Sequence, residues 1–372
     1  MFLPATKVIA CPFCTALQPT WAQLRERSPV VALAEVVKQI ETQSRDESRL
    51  ALVVYQVFQG DQRLKPQATL QLKLAAPSRT GSLLILFAAG KDEKLEDLSW
   101  TAVPTNEHRL AYFARSPSPR EKQAGRLGYF VRYLEDSDPL VAEDAWQEFG
   151  HAPFDVVRQV ADRFDPALLR RWLADAGARQ HRQGFYGAAL GIAPAATIDG
   201  LSNAEFLKER MLAPGSDFRA GFDGLVAGYL LAAGEQGLDV VEKQLLANPK
   251  AAVVDVRQAM AALRFCHLYD KSISSRRLAG AMRKLLSRDA FAAEAIADLA
   301  RWRDWEALPG VLALFDAPSE HRDEIRRAVV GFLLVCPEKQ AADALARLRR
   351  ANPQAVADAQ RQLEATGSSE KQ

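Results

Sequence analysis

Cys11 and Cys14 enclose Pro12 and Phe13, and this C-P-F-C spacing is the stretch of the chain with the most direct chemical content. Two thiols three positions apart form a redox couple when the first sits at a helix N-terminus. The helix dipole and free N–H groups then lower its pKa, and the second thiol resolves the mixed disulfide. A strand over residues 7–10 and a helix over 15–26 would place them so, but Pro19 falls inside that helix. The other readings are a structural disulfide, an inert pair, or half of a metal site. Zinc takes four ligands in structural sites, and no second C-x-x-C or nearby histidine completes a set, so no metal is expected. Cys11 and Cys14 therefore stand as a structural disulfide, with a redox-active pair as the alternative.

Asp298, Arg301, Trp302, Asp304 and Trp305 fall within eight residues. Two carboxylates beside tryptophan would suit a sugar-binding or acid–base site. The bland reading is stronger, because Asp298 and Arg301 are one helical turn apart and can pair. Asp304 is placed to cap the next helix, and two tryptophans three apart suit an inter-repeat core. Cys266 and His267 pair a nucleophile with a base by type only. Adjacent helical residues point about 100° apart, and Cys266 shares a stripe with Ala259 and Leu263, so it reads as a small buried apolar residue. Cys336, behind Val329, Phe332 and Leu333, reads the same way.

His108, His151, His181 and His321 are scattered, with no spacing that suggests a metal. Arg276, Arg277, Arg283, Lys284 and Arg288 form a basic flank opposite Leu278, Met282 and Leu285. It lacks interleaved aromatics and reads as a solvated face. No glycine-rich phosphate loop, G-x-S-x-G elbow or calcium loop occurs, so no catalytic residue and no cofactor are expected.

The elements that must position these residues follow from length and pattern. The 372 residues exceed what one core usually serves, so two domains or an open-ended array is expected. With 48 basic and 46 acidic residues the chain carries no field that would steer it to nucleic acid. No run of about 18 apolar residues exists to span a bilayer. The first ten residues are short for a signal peptide, yet Val8-Ile9-Ala10 before Cys11 has a small-residue ending. An exported or envelope location is expected if the chain is processed there, and a cytoplasmic one otherwise.

Residues 30–40, 50–58, 69–74, 82–88 and 110–114 read as short β-branched or alternating runs between turn-rich segments, with breakers at Gly60-Asp61 and 78–81. These five strands predict a small barrel or sandwich over residues 1–117. Two Ser-Pro steps among charged residues make the surroundings of 116–122 a linker, placed at 118–126. Beyond it the chain reads as helical from 127 to 366, with a frayed tail at 367–372. Asp138-Pro139 is a helix start, since the carboxylate can accept from first-turn N–H groups and proline at the first position orphans nothing. Val141, Ala145 and Phe149, with Ala142 and Trp146, give that helix its apolar face, and Leu127, Phe130, Val131 and Leu134 give the preceding one a matching stripe. A helical hairpin is expected. Gly234 is read as ending a helix over 222–233. Prolines at 153, 166, 194, 249, 318, 337 and 353 punctuate the rest as stacked hairpins.

The order of the early strands, with Q-V-F-Q-G-D after the second and G-S-L-L-I-L-F later, resembles the netrin-like or tissue-inhibitor-like OB-type barrel across residues 11–117. The resemblance implies an N-terminal cysteine segment tied to the barrel, although the later cysteines of such domains are absent. The helical half resembles HEAT repeats where Asp138-Pro139 precedes Val141, Ala145 and Phe149. The whole chain resembles an uncharacterised bacterial family of HEAT-repeat proteins through 11–14, 135–149, 262–265, 298–305 and Cys336-Pro337. That resemblance implies an exported or envelope-associated interaction protein.

The fold class expected is thus α+β and multidomain, a small OB/NTR-like barrel followed by an all-α HEAT-like solenoid. The function expected is a non-catalytic scaffold binding a protein partner along the solenoid. The alternative is a thiol–disulfide oxidoreductase in which Cys11 attacks, Cys14 resolves and the solenoid selects the client.

Overall fold

The computed structural model describes residues 11, 13–14, 17–40, 48–60, 62–74, 79–90, 95–175, 180–214 and 219–369. The strand expected over 7–10, the processing site at Val8-Ile9-Ala10, Asp61, Ser78 and the last three residues of the tail lie outside them. The chain divides into two compact units, Met1–Cys11 with Ala16–Arg163, and Pro12–Thr15 with Phe164–Gln372. Residues 118–126 lie within the first.

The first unit opens with helix α1 (Trp21–Arg27). Pro19 precedes it, and Thr20 caps it reciprocally: Thr20 Oγ1 accepts from the Gln23 N–H while Gln23 Oε1 accepts from the Thr20 N–H, both at 3.2 Å. Strands β1 (Val31–Ile40), β2 (Ser48–Gln59), β3 (Thr69–Leu74) and β4 (Leu83–Ala89) follow where the alternation places them. The fifth expected strand is a correction. Residues 110–114 belong to α2 (Glu107–Arg115), and the fifth strand is β5 (Ser99–Thr105). Asn106 turns the chain from one to the other, its side chain accepting from the Arg109 N–H at 2.9 Å.

All pairings are antiparallel and the order is β3-β2-β1-β4-β5. The sheet is open, with β3 and β5 as its edges, so the barrel expected from the strand count is not closed. Pro104 sits on the edge strand β5, where a missing N–H is tolerated. One face buries Ala32, Ala34, Val36, Leu50, Leu52, Val54, Leu84 and Leu86. The other carries Phe87, whose ring meets Phe113 of α2 edge-on at 5.7 Å. Burial of both faces explains why the first half of β1, Val31–Ala34, is apolar without alternation.

Helix α3 (Gln123–Phe130) continues as a 3₁₀ turn, Val131–Tyr133, before α4 (Pro139–Gly150) and the short α5 (Phe154–Arg158) complete the unit. α4 begins as Asp138-Pro139 dictates: Asp138 Oδ1 accepts from Leu140 N–H at 3.0 Å and from Val141 N–H at 3.4 Å. Leu127, Phe130, Leu134, Val141, Ala145 and Phe149 are all buried; Val131 is only half-buried.

The second unit is helical apart from a two-residue hairpin: α6 (Pro166–Ala174), α7 (Gln183–Ile192), β6 (Thr197–Ile198), β7 (Leu201–Ser202), α8 (Asn203–Leu212), α9 (Phe222–Val241), α10 (Val253–Tyr269), α11 (Ser275–Arg283), α12 (Asp289–Arg301), α13 (Leu308–Ala313), α14 (Arg322–Val335), α15 (Lys339–Ala351) and α16 (Pro353–Ser369). Asp165-Pro166 repeats the Asp-Pro start. Gly234 takes a positive φ of 59° with a non-helical ψ of −140°, so a helix ends there as expected and a second one begins beyond it within the span labelled α9. α7 and α9 cross with their backbones in contact. A Cβ on Gly228 would fall on the Gly187 carbonyl, and one on Gly187 would lie 2.7 Å from Leu225 Cα.

Candidate functional site

The acidic and aromatic residues at and just beyond the end of α12 each meet a partner from a neighbouring element. Asp298 is 1% exposed. Its Oδ2 accepts from Arg264 Nε of α10 at 2.7 Å, and its Oδ1 from Arg301 at 2.7 Å. Glu294, one turn earlier, pairs with Arg257 at 3.0 Å and Arg264 at 3.6 Å. Each oxygen of this buried carboxylate is engaged by a guanidinium of the protein itself. Trp302 lies flat on His267, ring centroids 4.4 Å apart and planes 4° apart, so one face of the indole is covered. Burial lowers the pKa of that imidazole, and Asp298 works against the shift. Trp305 meets Phe332 of α14 edge-on at 5.4 Å.

Asp304 departs from its expected cap. Its carboxylate faces Arg283 Nε at 3.3 Å and caps nothing, and burial raises its pKa against the pull of that guanidinium. The basic flank is likewise a set of links between helices. Arg276 pairs with Glu306, Arg277 with Asp239 and Glu242, and Arg283 with Asp304 and Glu306. Arg288 donates to the Leu245 and Leu246 carbonyls. Lys284 is exposed.

Cys11 and Cys14 are disulfide-bonded, and Cys266 and Cys336 are buried outside any disulfide. The helix expected over 15–26 is shorter among the described residues: 17–20 are irregular and α1 begins at Trp21. Cys11 is 5% exposed, and its N–H donates to the Gly150 carbonyl at 3.0 Å. Phe13 is buried against Phe265, ring centroids 4.7 Å apart. Cys266 lies on the buried face with Ala259 and Leu263, turned from His267, which is half-buried. His108 meets Asp136 at 2.8 Å and His151 the Gln18 carbonyl at 2.8 Å; His321 is 3.9 Å from Glu324. Among the described residues no group of three or more His, Cys, Asp or Glu is arranged to hold a metal ion.

Two features escaped the sequence reading. The first is a buried polar cluster in the first unit. Asp144 of α4 accepts from the Trp21 N–H and the Tyr112 hydroxyl, each at 2.7 Å, and Glu148 one turn on accepts from Arg126 at 2.6 Å. Burial pushes the Asp144 carboxyl up to about 7, against the two hydrogen bonds that lower it. Burial, and then the charge of Asp144, pushes the Tyr112 hydroxyl well above its ordinary value. The second is an apolar groove of about 300 Å³ between α12 and α14. Ala297, Ala300, Ala328, Gly331, Phe332 and Val335 line it, with Arg301 at the rim. Val335 is 59% exposed and Leu334 44%. Its signal is in the run Val329–Val335, seven residues with no charge, of which a helix can bury only one side.

No protein-family model, no curated protein and no solved structure matches this chain. Among the described residues no helix is long and apolar enough to cross a membrane.

Proposed function

We propose that this chain is a non-catalytic scaffold for protein–protein interaction, with a HEAT-like solenoid in its second unit and an OB/NTR-like sheet in its first. The observation that carries the function is the groove between α12 and α14. It is apolar, floored by small residues and flanked by exposed Val335 and Leu334, which suits the apolar face of a partner's helix. The solenoid reading draws support from the spacing of links between helices. Arg219–Asp255, Arg257–Glu294, Arg264–Asp298 and Arg277–Glu242 join residues 36, 37, 34 and 35 apart, as a stack of similar helical repeats requires. Arg257 and Arg264 tie α10 to α12, one wall of the groove, which lowers the ordering cost of binding.

A photo-crosslinking residue at Val335 of the full chain tests the reading. It is expected to give a discrete protein adduct that Ala300→Arg abolishes, while the variant keeps the wild-type melting temperature. No adduct, or one indifferent to Ala300→Arg, would overturn the proposal.

A further inference from the structure

Gly125, Gly128 and Tyr129 of α3 and Arg132 of the 3₁₀ turn that continues it line one cleft, with Arg163 across from them. With Val131 they line a cleft of about 560 Å³. Glycine at 128 has a reason: a Cβ there would collide with the Arg163 guanidinium, which rests against the bare helix. The Arg132 guanidinium stands 5.4 Å from the Tyr129 ring centroid and 5.9 Å from that of Tyr133. The Tyr129 hydroxyl is tied down by donating to the Tyr112 carbonyl at 2.9 Å.

Neither Arg132 nor Arg163 meets a carboxylate among the described residues, whereas Arg109, Arg120 and Arg126 of the same unit each hold one. Arg115, also without one, is near enough to bear electrostatically on the Tyr129 hydroxyl. Two exposed guanidinium groups without carboxylate partners, Arg132 and Arg163, border the cleft, and an anion seated between them is attracted to both.

We infer that this cleft binds a phosphate monoester group, held by the guanidinium forks of Arg132 and Arg163 with Tyr129 as its wall. A dianion with three terminal oxygens can engage both forks at once, where a single carboxylate saturates one. The cleft lies within the size range of small-molecule sites, leaving room for the remainder of a phosphorylated compound.

Calorimetric titration of the full chain with glycerol 3-phosphate at fixed ionic strength, beside flotation with phosphatidate-containing vesicles, tests this. The soluble ester is expected to bind with a Kd below about 1 mM. Arg132→Gln and Arg163→Gln should each weaken it at least about fivefold, as loss of a charge-assisted pair does. Gly128→Ala should weaken it similarly by displacing Arg163, and Lys284→Gln should leave it unchanged. Vesicle binding alone, dependent on both arginines, would keep the phosphate chemistry and assign the group to a lipid headgroup. Affinity unchanged in the double arginine variant, acetate bound as tightly as the ester, or no binding in either arm would overturn the inference.

Discussion

The Tyr112 hydroxyl donates to Asp144 Oδ2 at 2.7 Å, and neither side chain is more than 5% exposed. The Trp21 N–H fills the other oxygen, so one carboxyl fastens α1, α2 and α4 together. Burial holds that carboxyl near 7, above the ordinary carboxylate value of about 3.9. Between those values the native state keeps a proton that the unfolded chain has lost. Stability therefore falls as pH rises from about 4 to about 7 and levels off above, by up to about 4 kcal/mol. Asp144→Asn removes the titration while its amide can still serve both partners. The expected result is that wild type loses stability relative to Asp144→Asn between pH 5 and 8 in urea unfolding. A constant difference would show that Asp144 does not titrate in this window.

Arg126 and Glu148 are a buried pair with an unused atom on each side, Arg126 Nε and Glu148 Oε1. Incomplete satisfaction makes removal of one partner costly and replacement of both cheap. Glu148→Ala is expected to cost about 3 kcal/mol or more, and Arg126→Met with Glu148→Leu to restore most of it. A double variant as unstable as the single one would mean that the pair itself, and not the stranded charge, supplies the stability.

How much of this was legible depended on whether the signal was local. Asp138-Pro139 carried its own helix start, and the alternation of β3 its own buried face. Residues 110–114 misled because five apolar positions are too few to separate a period of 2 from one of 3.6, while Pro104 masked a true edge strand. The polar cluster joins residues 32 and 123 positions apart, and the links that turn the basic flank into a ladder lie on other helices. Such relationships are set by packing, and no local pattern encodes them.

The glycines of α7 and α9 show the same limit and give a sharp contrast. Gly228 fits only because the Gly187 carbonyl occupies the place of its Cβ, whereas Gly280 of α11 has open space, its nearest neighbour being Arg283 at 3.8 Å. Gly228→Ala is expected to destabilise by about 3 kcal/mol or to prevent folding. Gly280→Ala should stabilise by about 0.5–1 kcal/mol through helix propensity alone. Thermal melts of the two variants check the pair, and equal effects would rule out backbone contact at the crossing.

The disulfide separates the scaffold from the oxidoreductase alternative. Closing so small a loop removes little unfolded-chain entropy, so reduction is expected to cost at most about 2 kcal/mol. Cys11 is buried while Cys14 is half-exposed. With residues 17–20 irregular, no helix N-terminus there activates either sulfur, and both should react as ordinary thiols. After reduction of the native protein, iodoacetamide should label Cys14 first and Cys11 slowly, with a pH profile like that of cysteine in the unfolded chain. Intact-mass and peptide mapping over time check this. Fast labelling of Cys11 at pH 6, together with turnover of a disulfide substrate, would make Cys11 an attacking nucleophile and the chain a redox enzyme.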